Sequence, residues 1–130
     1  MTARGHARPK GENNVKLLQV KNLLHCTVVS GEDSLDREIG SCFAADLMSD
    51  VLAYSRPGAL LITGLITVQS VHTADVADCA GILFVSSKQP TPEAMALAQV
   101  RGIPVLSTPR SAFEACGELF RNGLSQDARP

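Results

Sequence analysis

The sequence is poor in aromatic residues, which make up 4% of the chain, with no Trp and one Tyr. This scarcity argues against a base-stacking surface for nucleic acid, because such surfaces need several exposed aromatic rings. Lys and Arg number 12 against 13 Asp and Glu, so the chain has no strong basic field to attract a phosphate backbone. We therefore expect no nucleic-acid partner.

Closely spaced cysteines are also missing. The chain has four cysteines but no CxxC pair, and zinc or iron–sulfur sites usually contain such pairs. An even number of cysteines allows a disulfide framework, but the chain has enough apolar residues to fold without one. We expect no cofactor, and reduced, mostly buried thiols in a cytoplasmic protein, at Cys26, Cys42, Cys79 and Cys116.

No apolar run is long enough to span a bilayer, since runs such as residues 59–62 are far too short. Residues 1–14 mix charged and polar side chains and have no apolar core of the kind that a signal peptide requires. We therefore expect no membrane association. We interpret residues 1–14 as a disordered arm and residues 125–130 as a flexible tail.

Extended and helical patterns alternate between these two ends. Continuous apolar runs, as expected for strands covered on both faces of a sheet, occupy residues 59–63, 81–85 and 103–106. Helical patterns follow the first two runs and begin at the capping residues Thr67 and Thr91. Such alternation predicts right-handed βαβ crossovers. The predicted fold class is α/β: a small three-layer domain over residues 15–124, with a mainly parallel sheet and βα repeats.

The flanking segments fit the same scheme. Residues 15–24 have the spacing of an amphipathic helix, and residues 26–29 and 37–44 are extended in pattern. We expect Asp46 to cap the next helix. A capping box at residues 111–114 begins the last helix. We predict that this helix buries one apolar face, formed by Ala112, Phe113, Cys116, Leu119 and Phe120.

Hydroxyl and glycine residues follow the predicted strands at their carboxyl ends, where open α/β sheets bind ligands. Backbone N–H groups and helix N-termini at this edge could hold a phosphate. The alternative is that these residues serve only as caps and turns. The candidate ligand-binding residues are Thr63, Gly64, Thr67, Ser86, Ser107 and Thr108.

Two groups of charged residues are further candidates. Asp36 and Arg37 lie in a loop between extended segments, where they could contact a ligand or a second subunit, or could fix the loop by hydrogen bonds. Asp46 and Asp50 are one helical turn apart and could bind Mg²⁺. A simple capping role for Asp46 is the preferred interpretation.

No catalytic arrangement emerges from the sequence. The phosphate-binding motif GxxxxGK[ST] is absent. His6, His25 and His72 form no Ser/His/Asp or Cys/His pattern that spacing can support. We therefore expect a protein that is not an enzyme.

The motif Asp-Arg-Glu-Ile-Gly at residues 36–40 resembles the signature of the DRTGG domain family. Its first two residues and its last glycine match, whereas Glu38 and Ile39 replace the family's Thr and first Gly. The resemblance extends over residues 15–124. Its other matching segments follow in the same order, at residues 46–50, 56–63, 102–108 and 113–116.

This resemblance implies a regulatory or dimer-forming module. Such domains occur alone, or attached to CBS domains in pyrophosphatases and to phosphotransacetylases, and are similar to the non-catalytic N-terminal domain of HPr kinase/phosphorylase. The leading hypothesis is therefore a non-enzymatic regulatory module that forms a homodimer. One alternative is a sensor that binds a nucleotide or another phosphorylated small molecule at the strand ends. Another is a subunit of a larger redox or signalling complex with a protein partner.

Overall fold

The computed structural model describes residues 15–126. The predicted arm, residues 1–14, and the last four residues of the predicted tail, 127–130, lie outside this range. The elements in chain order are β1 (Val15–Lys16), α1 (Leu17–Leu24), β2 (Thr27–Ser30), β3 (Glu38–Ile39), β4 (Ser41–Ala44), α2 (Met48–Tyr54), β5 (Ala59–Thr63), α3 (Val68–Val76), β6 (Gly81–Phe84), α4 (Pro92–Arg101), β7 (Val105–Ser107) and α5 (Ala112–Arg121).

Five strands form the central sheet in the order β2-β7-β6-β5-β4. The strands β4, β5, β6 and β7 are parallel, and β2 joins the β7 edge antiparallel, with a bulge between Val28 and Ser30. A separate antiparallel pair joins β1 to β3. The predicted mainly parallel α/β sheet is confirmed. Pro104 directly precedes β7, so its missing N–H falls outside the strand.

Helices cover both faces of this sheet. On one face, α1 and α5 pack through residues such as Val20, Leu24 and Leu119. On the other, α2, α3 and α4 pack through residues such as Val51 and Ala98. The predicted three-layer architecture is therefore confirmed.

Local sequence signals set the ends of two helices. At α4, the Ala94 N–H donates to Thr91 Oγ1 over 3.1 Å, Pro92 is the first helical residue, and Gly102 ends the helix with a φ of 70°. At α5, Ser111 and Glu114 form the predicted capping box, with both reciprocal hydrogen bonds present. The capping predictions for these helices are confirmed.

The predicted buried face of α5 is wrong at Ala112, Phe113 and Phe120, which are exposed, and Cys116 is only half-buried, so that Leu119 alone of the five is buried. Phe113 is 87% exposed and Phe120 is 70% exposed. The helix instead turns Ala115 and Leu119 toward the sheet, and both are buried. Five apolar residues at helical spacing cover a wide arc of the helix surface, and only the contacts of the folded chain decide which part of that arc faces the core.

Within residues 15–126 no helix has the length and apolarity needed to cross a membrane. All four cysteines are free, and Cys26, Cys42 and Cys79 are buried, whereas Cys116 is partly exposed. Burial raises the pKa of the Cys26 and Cys79 thiols to about 11. These thiols are therefore protonated at neutral pH and act as small apolar groups in the core.

Gly31 directly follows β2 and lies close to Pro104, so a substitution at this glycine tests how tightly the two segments pack. Its φ is +84°, and a Cβ at this position would lie 2.7 Å from the Cα of the buried Pro104. Gly58 has the same φ of +84°, but a Cβ there would meet no atom of residues 15–126 within 4 Å. The two glycines are therefore a matched pair for backbone conformation.

We predict that Gly31→Ala destabilises the protein more than Gly58→Ala. Gly58→Ala should cost about 1–2 kcal/mol, because it forces a side chain into the left-handed region. Gly31→Ala should cost about 1–3 kcal/mol more, because it also drives backbone away from Pro104. Urea unfolding of both variants measures the difference, and equal losses would show that the Gly31–Pro104 approach is not tight.

Candidate functional site

A cleft of about 250 Å³ opens at the carboxyl ends of β4, β5 and β6. The strands end together on this edge because they run parallel. Its polar groups come from Asp46 after β4, from Thr63 and Gly64 at the end of β5, and from Lys88 after β6. The remaining walls are apolar, and Ala112 places the amino end of α5 beside the cleft. We refer to it as the rim cleft.

Asp46 organises one side of the rim cleft. Its Oδ1 accepts the Gly64 N–H over 2.8 Å and the Thr63 hydroxyl over 2.9 Å. These two hydrogen bonds lower the pKa of Asp46, and the nearby Lys88 ammonium lowers it further. The carboxylate is therefore ionised at neutral pH and holds the β5 turn.

The predicted capping role of Asp46 is wrong. The helix α2 begins at Met48, its N-cap residue is Leu47, and no side chain caps its first turn. Asp46 instead faces β5, because Thr63 and Gly64 offer it two donors. The sequence did contain a signal for this position, since Asp46 lies two residues after an extended segment that ends at the ligand-binding edge of the sheet.

Lys88 lies opposite Asp46 across Gly64. A Cβ at Gly64 would lie 3.3 Å from Lys88 Nζ and 3.8 Å from both carboxylate oxygens of Asp46. A larger residue at this position would therefore intrude between the two charged groups. The rim cleft thus offers one carboxylate, one ammonium and the amino end of a helix to a ligand.

Ser107 and Thr108, also candidates at this edge, are buried and use their hydroxyl protons inside the protein. Ser107 Oγ donates to the Lys88 carbonyl over 2.7 Å. Thr108 Oγ1 donates to the Leu24 carbonyl over 2.7 Å and accepts the Arg110 N–H over 3.1 Å. In this arrangement both hydroxyls hold the loops behind the cleft, and neither residue lines it.

Three of the other candidates lie outside the rim cleft. Thr67 precedes α3 with an exposed side chain that forms no capping hydrogen bond. Ser86 is exposed with a φ of 59°, and its N–H donates to the Arg110 carbonyl over 2.8 Å. The loop residue Asp36 is exposed and does not line the cleft.

Arg37 is separated from the strand-end candidates by the length of the sheet. Its Nη1 donates to the Ala80 carbonyl over 3.1 Å. Ala80 directly precedes β6, so Arg37 contacts the amino end of the sheet rather than the carboxyl end. The structure therefore does not bring Asp36 and Arg37 together with Thr63 and Gly64. This contact agrees with the alternative interpretation of Arg37, in which its side chain fixes the loop.

A second cleft, of about 420 Å³, lies between α5 and the outer edge of β4. The chain beyond α5 crosses this edge, and the Cys42 N–H donates to the Ser125 carbonyl over 3.0 Å. We refer to this as the α5 cleft. Its lining, which is mostly apolar, consists of Cys42, Ala44, Ile62, Phe113, Cys116, Gly117, Leu119, Phe120, Leu124, Ser125 and Gln126.

The two cysteines of the α5 cleft are poor nucleophiles. Burial raises the pKa of Cys42 to about 12, and the neighbouring Cys116 adds to this rise. Burial also raises the pKa of Cys116. Both sulfurs are therefore protonated thiols at neutral pH, whereas nucleophilic catalysis needs a thiolate.

Among residues 15–126 there is no group of three or more His, Cys, Asp and Glu side chains placed to hold a metal ion. Asp46 and Asp50, considered as a magnesium pair, belong to no such group. The two clefts differ in the groups that line them: the rim cleft has polar and charged groups, and the α5 cleft is mostly apolar.

The two clefts share part of their walls. Ala44 and Ile62 line both of them. The adjacent residues Ala112 and Phe113, at the start of α5, line the rim cleft and the α5 cleft respectively. A displacement of β4 or of the first turn of α5 would therefore change both clefts at once.

We predict that the stability difference between the wild type and Asp46→Asn depends on pH. The pKa of Asp46 is lowered in the folded protein, so its contribution is complete above the ordinary value of 3.8 and is lost as the pH falls through the lower folded value. Solvent screening at this exposed site limits the difference to about 1 kcal/mol. Urea unfolding across acidic and neutral pH measures it. Asp50→Asn is the charge-matched control, and an identical pH profile for both variants would contradict the role of Asp46.

The fold has a counterpart among solved structures. The chain is similar to the CBS and DRTGG domains of the regulatory region of Clostridium perfringens pyrophosphatase, a structure complexed with the activator diadenosine tetraphosphate. The TM-score is 0.67 and the sequence identity 17%, over 86% of this chain and 48% of that chain. This likeness shows the fold, and the chain spans about half the length of that structure.

The sequence comparisons lead to a family. No curated protein matches the chain. The sequence profile of the DRTGG domain matches residues 19–121, which include the central sheet and all or most of every helix. The chain belongs to the DRTGG domain family.

Proposed function

We propose that this chain is a non-enzymatic regulatory module that acts as a homodimer through the face of α5. The observation that carries this proposal is the exposure of Phe113 and Phe120. The chain has only four phenylalanines, of which Phe43 and Phe84 are buried and these two are not. Large exposed apolar groups beside an apolar cleft are typical of protein interfaces.

Three further observations support this interpretation. The net charge of −1 imposes little repulsion between copies. The lowered pKa of Asp46 and the raised pKa of Cys116 leave neither group poised for proton transfer near neutral pH. The four free cysteines are compatible with a reducing cytoplasm.

Light scattering at micromolar concentration tests the homodimer. We expect a mass of twice the 13.8 kDa of one chain, and a decrease toward the monomer on dilution. A mass equal to one chain throughout this range would contradict the proposal.

The second candidate function is a sensor for a nucleotide or another phosphorylated small molecule in the rim cleft. The specific observation in its favour is the placement of Asp46 and Lys88 on either side of Gly64. A carboxylate accepts hydrogen bonds from ribose hydroxyls, and an ammonium beside a helix amino end attracts phosphate. The walls shared by the two clefts would transmit binding to the dimer face. The activator bound by the pyrophosphatase regulatory region is itself a nucleotide.

A thermal-shift screen tests the sensor function with nucleoside mono-, di- and triphosphates and with diadenosine tetraphosphate. A ligand at one hundred times its Kd should stabilise the protein by about 2.7 kcal/mol. Lys88→Ala should abolish the shift, whereas Lys21→Ala, which lies outside the cleft, should leave it unchanged. An absence of any shift across the panel would contradict the sensor function but not the homodimer.

A further inference from the structure

Helix α5 carries an apolar stripe that is open to solvent. Phe113, Gly117 and Phe120 are exposed, and Cys116 lies at the edge of the stripe, partly exposed. Residues three, four and seven positions apart share one side of a helix, so these four residues form a continuous surface two turns long. We refer to them as the α5 stripe.

Contacts among residues 15–126 do not explain why the α5 stripe contains a glycine at position 117. Gly117 lies in the interior of α5, where glycine destabilises a helix relative to alanine. A Cβ at this position would meet no atom of residues 15–126 within 4 Å. No packing contact among these residues therefore requires a glycine, and its small size leaves the helix surface open to another chain.

The α5 stripe is symmetric along the helix. The midpoint between Phe113 and Phe120 coincides with the midpoint between Cys116 and Gly117. If a second α5 packs antiparallel about this midpoint, Phe113 of each copy lies opposite Phe120 of the other, and Cys116 lies opposite Gly117. Every contact then occurs twice, as a two-fold interface requires, and the two ring pairs flank a narrow centre where the helices can approach.

The charges beside the stripe favour the antiparallel direction. Glu114 and Arg121 are exposed and lie seven residues apart on the same flank of the helix. The antiparallel pairing places Glu114 of one copy and Arg121 of the other on the same side of the interface, two residues apart along the helix axes, which is about 3 Å and within reach of these long side chains. A parallel two-fold pairing would place the two Glu114 side chains, and likewise the two Arg121 side chains, on opposite sides of the interface, where they form no pair with each other.

We propose that the second copy in the homodimer packs its α5 antiparallel on the α5 stripe, with Phe113 against Phe120 about a two-fold axis between Cys116 and Gly117. This assignment rests on the proposed homodimer and identifies its interface. The occupant of the α5 stripe is a second copy of the chain because, when the helix is reversed, the rings of the stripe meet each other and the flanking acid and base lie on the same side of the interface.

Cross-linking through Cys116 tests the arrangement directly. The axis brings the two Cys116 thiols within one residue of each other along the helices, while Cys26, Cys42 and Cys79 are buried. At mildly alkaline pH, which offsets the raised pKa of Cys116, a short bis-maleimide should convert the wild type into a covalent dimer, and Cys116→Ser should abolish the product. Labelling with the monofunctional N-ethylmaleimide under the same conditions shows that the Cys116 thiol reacts. A protein that is dimeric by light scattering and is labelled at Cys116, but is not linked through it, would overturn this interface and leave the homodimer standing. A monomeric protein would overturn both.

Gly117→Leu separates an effect on the interface from an effect on folding. The substitution should raise the thermal midpoint of the monomer, because leucine is the better helix former and its Cβ would meet no atom of residues 15–126 within 4 Å. It should also weaken the dimer, with the dimer Kd rising by at least about tenfold, since the added side chain holds the two helices apart. Ala96→Leu adds a leucine at an exposed position of α4 and is the control. A dimer that tolerates Gly117→Leu as well as it tolerates Ala96→Leu would overturn the proposal.

Truncation of the rings measures their contribution. Phe113→Ala and Phe120→Ala should each raise the dimer Kd by at least about thirtyfold, the range typical of central interface residues. Val100→Ala, which removes an 80% exposed apolar group from α4, should leave the Kd unchanged. If all three substitutions changed the dimer Kd equally, the interface would lie elsewhere and the proposal would be overturned.

Charge reversal tests the direction of the helices. Arg121→Glu should raise the dimer Kd by about tenfold, because it places two carboxylates on the same side of the interface. Glu114 is left unchanged, since its carboxylate belongs to the capping box of α5. Arg101→Glu on α4 makes the same change of charge away from the stripe and should leave the Kd unchanged. A dimer Kd that Arg121→Glu leaves unchanged would overturn the antiparallel arrangement.

Discussion

Burial of the central strands on both faces is the constraint on which the rest of the structure depends. Every residue of β5 and β6 is buried, so their backbone groups find partners only in neighbouring strands and their side chains only in helices. Helices must therefore cover both faces, and the parallel strands must be joined by crossovers. The surfaces that remain available to bind a ligand or another chain are the strand ends, the edge at β4 and the outer faces of the helices.

The rim cleft and the α5 cleft occupy these remaining surfaces and differ in chemistry. Asp46 and Lys88 make the rim cleft polar, whereas Phe113 and Phe120 border a mostly apolar cleft beside the edge strand. The two clefts meet at Ala44, on the side of β4 and β5 that α5 covers. A module that joins a ligand site to an association surface through one strand and one helix is suited to regulation, because binding in one place can alter contacts in the other.

The parts of the fold that depend on neighbouring residues could be predicted from the sequence. The apolar run at residues 59–63 and the cap at Thr91 are examples, because each involves residues that are adjacent or three apart. The role of Asp46 could not be predicted, since its hydrogen-bond partners lie 17 and 18 residues away. The exposure of Phe113 and Phe120 depends on the rotation of α5 about its own axis, which is set by packing against the sheet. The candidate functional surfaces are defined by these long-range contacts.

The proposed homodimer is formed through the α5 stripe. The most direct measurement is an isotope-filtered nuclear Overhauser experiment on a mixture of labelled and unlabelled protein, which detects only contacts between copies. We expect contacts between the Phe113 ring of one copy and the Phe120 ring of the other. Contacts between copies that involve other exposed apolar residues instead, such as Val100 or Leu52, would contradict this interface.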